Sequence, residues 1–264
     1  MSSIDLSKRI RISALKMVHA SKSSHIGSAL SIADIVAVLY ENILNYQSKN
    51  IYWNNRDRFI LSKGHSCSII YAVLAEKGFI KIEDLSTYAK KSSLLMSHIS
   101  HKVPGVEFST GSLGHGLPFG VGKAIAGKKL KNTWRVFVLV SDGEMQEGAN
   151  WEAMMFAAHH NLNNLVLIID NNNLQSLGTV ETTLNLNPLQ KKIEAFGWDV
   201  TRINGHDHEA LRFILKKKKK NPLCIICDTI KGKGVSFMEN QVKWHYSSPD
   251  DSALYKAIEE IINA

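Results

Sequence analysis

Two short apolar runs separated by a single helical segment constrain this chain more than any other feature. Val136–Val140 (VFVLV) leads into Ser141-Asp142-Gly143-Glu144 and then a helical segment from Glu147 to His160. After the turn Asn161–Asn164 comes the second run, Leu165–Ile169 (LVLII), which ends in Asp170-Asn171-Asn172-Asn173. Both runs fall far short of the ~20 apolar residues that cross a bilayer. Strand, crossover helix and strand within about 35 residues make a βαβ unit, whose two strands run parallel. A third buried run, Leu223–Ile226, follows a helix over 208–220. The expected fold is α/β, a doubly wound and mainly parallel sheet with helices on both faces.

The rest of the chain is helical with one long irregular stretch. Apolar spacing predicts helices over 10–20, over 28–45 starting near Ser31 or Asp34, and over Ser66–Lys77, Leu117–Lys129 and Asp251–Asn263. Phe59–Leu61 reads as a short strand, and 79–116 as irregular and rich in His, Ser and Gly. No repeat or linker divides the sequence, so one domain over 1–264 is expected.

Composition narrows the function classes. Cys67, Cys224 and Cys227 are too few for a disulfide framework, and the N-terminus has no apolar signal core. A cytoplasmic protein with no membrane partner is expected. Strand alternation puts Cys224 and Cys227 on opposite faces, which suits a core and not a shared metal. Of the net charge of +8, five charges are the run Lys216–Lys220. Placed at a helix end, that run favours the negative end of the helix dipole and needs no nucleic-acid partner.

The chemistry gathers where the two central runs end. In a parallel sheet, ligands bind beyond the carboxyl ends of the strands. Asp142 and Asn172 stand just past two such ends, so both side chains reach one rim. A carboxylate, an amide oxygen and a nearby backbone carbonyl are hard oxygen ligands, suited to Mg²⁺ or Ca²⁺ and not zinc. So few protein ligands leave room for water and phosphate oxygens, which predicts a metal-bridged diphosphate. Gly111–Gly122 fits neither a dinucleotide fingerprint nor a P-loop, because its glycine spacing is wrong and Lys123 precedes Ala124.

Asp142-Gly143 followed by Asn171-Asn172 resembles the thiamine-diphosphate signature, and SDGEMQEGANWEA resembles its transketolase form. SSHIGSALSIADI, LSKGHSCSIIYAVL, VPGVEFSTGSLGHGLPFGVGKAIAG and IKGKGVSFMENQVKWH are similar, in the same order, to segments of the transketolase N-terminal half. The resemblance implies thiamine diphosphate and Mg²⁺ (Ca²⁺ could substitute), with the metal held by the Asp142 and Asn172 side chains and the Leu174 carbonyl. It implies that Gly143 lies against the diphosphate and that Gly111, Ser112 and Leu113 line the cofactor rings. His65 and His245 would contact the diphosphate, His25 and His98 would face the donor sugar, and Glu147 would organise the cofactor across a subunit interface. His25 and His245 are the expected proton-transfer groups, and His98 the residue that holds the two-carbon fragment. Ser141, Ile26 and Ile99 depart from residues the family usually has.

The resemblance also implies what lies elsewhere. In the family the glutamate that activates thiamine comes from a separate pyrimidine-binding domain. The chain is therefore expected to be the pyrophosphate-binding half of a split transketolase acting on sugar phosphates. Its partner would be a separate C-terminal subunit, in a heterotetramer of two copies of each. The alternatives are another thiamine-diphosphate enzyme of synthase or 2-oxoacid dehydrogenase type, a nucleotide-dependent oxidoreductase, and a non-catalytic cofactor-binding subunit.

Overall fold

The computed structural model describes residues 2–264. Helices α1 (Ser3–Ser21), α2 (Ile26–Ser31) and α3 (Ala33–Val38) come first, and α3 widens into a π turn over Leu39–Ile43. Then follow β1 (Arg58–Leu61), α4 (Cys67–Glu76), α5 (Gly116–Lys129), β2 (Val136–Ser141), α6 (Gly148–His159) and β3 (Leu165–Asn171). The chain continues through α7 (Val180–Leu184), α8 (Leu189–Ala195), β4 (Asp199–Asn204), α9 (His208–Lys216), β5 (Leu223–Asp228) and α10 (Asp251–Asn263). The strands form one sheet in the order β1-β2-β3-β5-β4, every pair parallel. All five carboxyl ends therefore share one rim.

Alternation along the strands divides the core in two. Phe59, Phe137, Leu139, Ile168 and Cys227 pack with α1–α4, α9 and α10 on one face. Ile60, Val138, Leu167 and Cys224 pack with α5, α6 and α8 on the other. The two cysteines thus face opposite cores as unpaired buried thiols, as their spacing predicts. Solid burial on both faces, at about 1.5–3 kcal/mol for each large apolar side chain, fixes the frame that carries the rim. Among the described residues, no helix is long and apolar enough to cross a membrane.

The sequence expectations hold for the central unit and err at its edges. The helix expected to start near Ser31 or Asp34 does start there, as α3 at Ala33, but α2 precedes it from Ile26, and neither polar residue is an N-cap. The Ser31 hydroxyl donates to Asp170 and the Asp34 carboxylate accepts from Arg11, so tertiary partners have taken both side chains. Helix α9 stops at Lys216, and Lys217 is already extended at φ −68°, ψ 133°. The basic run thus mostly follows the helix. Strand β4 lies outside the expected elements: it is a half-exposed edge strand without an apolar run.

Candidate active site

The rim gathers side chains from four strand ends. β1 leads into Ser62-Lys63-Gly64-His65, β2 into Asp142-Gly143, β3 into Asn172 and Leu174, and β5 into Thr229 and Lys231. With His25, His98 and His245 these segments wall a cavity of about 260 Å³. A larger open groove of about 870 Å³ runs along Gly78–Pro104, but none of the strand-rim residues borders it.

Asp142 and Asn172 meet in this cavity. Asp142 is 2% exposed; its Oδ1 accepts from the Gly143 N–H at 2.7 Å and its Oδ2 from the Asn173 N–H at 2.5 Å. The Asn172 amide is oriented by its network: Nδ2 donates to Ser31 Oγ and Asp170 Oδ2, both at 3.1 Å. Its Oδ1 accepts from the Leu174 N–H at 3.0 Å and keeps a second lone pair. Burial, reinforced by the negative charge of Asp170, pushes the Asp142 carboxyl up to about 7. Among the described residues no cation forms an ion pair with it, whereas Asp170 pairs with the buried Lys63. A buried carboxylate without a countercharge is costly, and a divalent cation supplies that charge. The donor set fits a hard, partly hydrated ion: one carboxylate, one amide oxygen and the Leu174 carbonyl. No group of three or more His, Cys, Asp or Glu among the described residues forms a softer alternative.

Four imidazoles line the cavity. The His25 ring lies 5.2 Å from His65, 5.7 Å from His98 and 5.0 Å from His245, centroid to centroid. His25 occupies the left-handed region at φ 75°, a conformation that a non-glycine residue holds only under tertiary constraint. Its N–H donates to the His245 carbonyl at 2.8 Å, which ties the two segments together. Burial lowers His25 to about 4 and His245 to about 3, helped by His98 and Lys231 for the first and Lys231 for the second. His65 is held well below the usual range and His98 is lowered, burial being the leading cause in both. All four rings are therefore neutral near pH 7, each with one donor and one acceptor nitrogen.

Glycines let the walls close in. A Cβ on Gly64 would lie 2.2 Å from the Thr110 carbonyl oxygen, so only glycine lets the His65 turn touch the 110–113 loop. Gly111 lies against the His98 ring, where a Cβ would come within 3.2 Å.

Several buried polar groups that shape the site escaped the sequence. Lys63 pairs with Asp170, and Glu144 accepts from the Ser62 hydroxyl and from the Gly114 N–H at 2.9 Å. Burial raises the Glu144 carboxyl. Lys231 donates to the carbonyls of Leu174 at 3.2 Å and Gln175 at 2.9 Å, and burial beside the Lys63 ammonium lowers it to about 8. Ser28, bonded to His65 at 3.0 Å, and Gln175 also line the cavity. His206 donates from Nδ1 to Asp34 at 2.8 Å and accepts the Ile230 N–H at 2.9 Å, one residue before Lys231. For Lys63, Glu144 and Asp170 the only sequence signal is a position just after a strand run.

The other sequence candidates divide. Gly111, Leu113, Gly143 and Leu174 line the cavity. Ser112 is exposed and not part of the wall, although its two neighbours are. Glu147 also lies outside the cavity, exposed where α6 begins. Both nonetheless adjoin the site from outside the cavity: Ser112 sits between two lining residues, and the Glu147 side chain packs against Gly114 of the same loop.

A family model described as "Transketolase, thiamine diphosphate binding domain" matches residues 3–259. A protein of Phocaeicola vulgatus, named as one of the subunits of an apulose-4-phosphate transketolase, is 39% identical over 97% of this chain and 92% of its own length. Its namesake from Actinobacillus succinogenes is 40% identical over 97% of this chain and 96% of its own. The solved transketolase of Campylobacter jejuni matches at TM-score 0.93 and 33% identity, covering 98% of this chain but 42% of its own. The chain thus spans about two fifths of that transketolase. With its parallel sheet, its Asp142–Asn172 rim and a match over nearly its whole length, the chain belongs to the transketolase family, in its thiamine-diphosphate-binding domain.

Proposed function

We propose that this chain is the diphosphate-binding subunit of a two-chain, Mg²⁺-dependent transketolase that moves a two-carbon ketol unit from a ketose phosphate to an aldose. The observation that carries it is a buried carboxylate lacking a countercharge, Asp142, on the same rim as Asn172 and beside four neutral imidazoles. The division of labour is supported by relatives of nearly the same length that are themselves named as single subunits of a transketolase. Two copies of each subunit would make the working assembly.

Asp142, Asn172 and the Leu174 carbonyl would hold the metal. His65 and His245 would contact the diphosphate, joined by Lys231, with Gly143 giving it room, and Gly111, Ser112 and Leu113 would flank the rings. When bound, thiamine diphosphate supplies the electron sink for cleaving the carbon–carbon bond of a ketose. His245 would donate to the sugar oxygen that gains charge, and neutral His25 would accept the hydroxyl proton. His98 holds the two-carbon fragment in place. Glu147 is exposed and free to meet the neighbouring subunit.

The test is reconstitution. The chain is mixed with a candidate C-terminal subunit that carries a pyrimidine-binding domain, and ketol transfer from a ketose phosphate is followed. Transfer is expected only from the mixture with Mg²⁺ and thiamine diphosphate present. Transfer by this chain alone, or decarboxylation of pyruvate in preference to ketol transfer, would contradict it.

A further inference from the structure

One aromatic ring at the mouth of the cavity takes no part in holding the metal, the diphosphate or the reacting carbons. Tyr246 follows the helical turn Val242–His245 and lines the cavity. Its ring centroid lies 4.8 Å from His245 at 71° and 6.2 Å from His25 at 56°. It is 61% exposed, whereas His25 and His245 are half-buried, so it extends the imidazole wall outward toward solvent. The turn is pinned beneath it: Trp244 is buried, and its Nε1–H donates to the Phe237 carbonyl at 3.1 Å. The Tyr246 phenol has no hydrogen-bond partner among the described residues.

A rigid, half-open aromatic face beside polar proton-handling groups suits a ligand with two sides. A sugar chain is such a ligand, with C–H groups along one face and hydroxyls along its edge. The electron-rich ring face attracts weakly positive C–H groups, and the ring loses little conformational freedom on contact. In the ketol-transfer reading His25 and His245 serve the reacting carbons, and Tyr246 borders both rings on the outer side. A chain held at the imidazoles would find this ring on the solvent side of both.

We propose that Tyr246 is a specificity-determining residue, the surface against which the sugar carbons beyond the transferred two-carbon unit stack. This rests on the ketol-transfer reading and deepens it: the site would favour extended ketose donors over donors with no chain to stack.

The experiment uses the two-chain enzyme with Tyr246→Ala and Tyr246→Phe. Two donors are compared: a five-carbon ketose phosphate, and hydroxypyruvate, which delivers the same two-carbon unit without a sugar chain. The readout is the ratio of their kcat/KM values, with thiamine diphosphate affinity measured in parallel. Y246A is expected to lower the ratio about five- to tenfold, chiefly through KM of the ketose, while Y246F holds it within about twofold. An unchanged ratio in Y246A would overturn the assignment, as would equal losses on both donors or dissociation of the subunits. A loss in Y246F as deep as in Y246A would assign the effect to the hydroxyl and overturn stacking. Failure of the wild-type complex to bind thiamine diphosphate or transfer a ketol unit would instead sink the underlying reading, and this assignment with it.

Discussion

Nδ1 of His245 accepts a hydrogen bond from the Lys231 ammonium at 3.2 Å, and an ammonium can only donate. The proton of that imidazole must therefore sit on Nε2. Burial is the first cause of the low His245 value, about 3, and the Lys231 charge the second. Lys231→Met removes the second cause and the tautomer lock together. Nitrogen-15 spectra should show the His245 value rising and the Nε2–H form losing its dominance. Unchanged spectra would mean that Lys231 does not control this ring.

Asp142 makes metal-free stability depend on pH. Its folded value of about 7 lies above the unfolded 3.8, so folding favours the neutral acid. That contribution is fully present below about pH 4 and is lost as pH rises through about 7. Between those limits the metal-free chain should lose up to about 4 kcal/mol at this residue, and Asp142→Asn should flatten the loss. Denaturant melts across pH 4–8 check it. Mg²⁺ added at pH 8 should raise the Tm of wild type and leave D142N unmoved.

Glu144 holds the ends of β1 and β2 to the 111–114 loop through Ser62, Ser141 and Gly114. Glu144→Ala leaves buried donors unpaired and should destabilise by about 2–4 kcal/mol. Because the loop it anchors includes Gly111 and Leu113, thiamine diphosphate affinity should fall as well. Chemical denaturation and calorimetry measure the two effects. A fully stable variant with weakened affinity would show that Glu144 acts only on the loop.

His206 bridges Asp34 to the backbone at Ile230. Arg11, His206 and His208 hold the Asp34 carboxyl well below its usual range, despite burial. His206→Ala removes the acceptor of a backbone N–H and should cost about 1–3 kcal/mol. His206→Gln, which can both donate and accept, should recover part of that loss. Equal destabilisation by Ala and Gln would show that ring packing, and not the bridge, is what matters.

What could be read from the sequence follows from how each feature is encoded. β2, β3 and β5 announce themselves because a strand buried on both faces needs an unbroken apolar run. Edge strand β4 (DVTRIN) has only half-buried and exposed positions, so no such run exists. Asp142 and Asn172 were legible because strand ends in a parallel sheet share a rim. His25, His65, His98 and His245 came only through the family resemblance, since nothing local distinguishes them from His206. Lys63 and Asp170 were invisible as a pair: 107 positions separate them, and each alone looks like a surface charge. Only the parallel order of β1, β2 and β3 brings them together.

The central claim is that Asp142, Asn172 and the Leu174 carbonyl grip one divalent ion that tethers the diphosphate of thiamine. Anomalous diffraction from crystals of the protein with thiamine diphosphate and Mn²⁺ in place of Mg²⁺ tests it most directly. A single manganese peak about 2.0–2.3 Å from an Asp142 carboxylate oxygen, Asn172 Oδ1 and the Leu174 carbonyl oxygen is predicted. Bound cofactor with the manganese elsewhere, or with the Asp142 carboxylate turned away from it, would contradict the account.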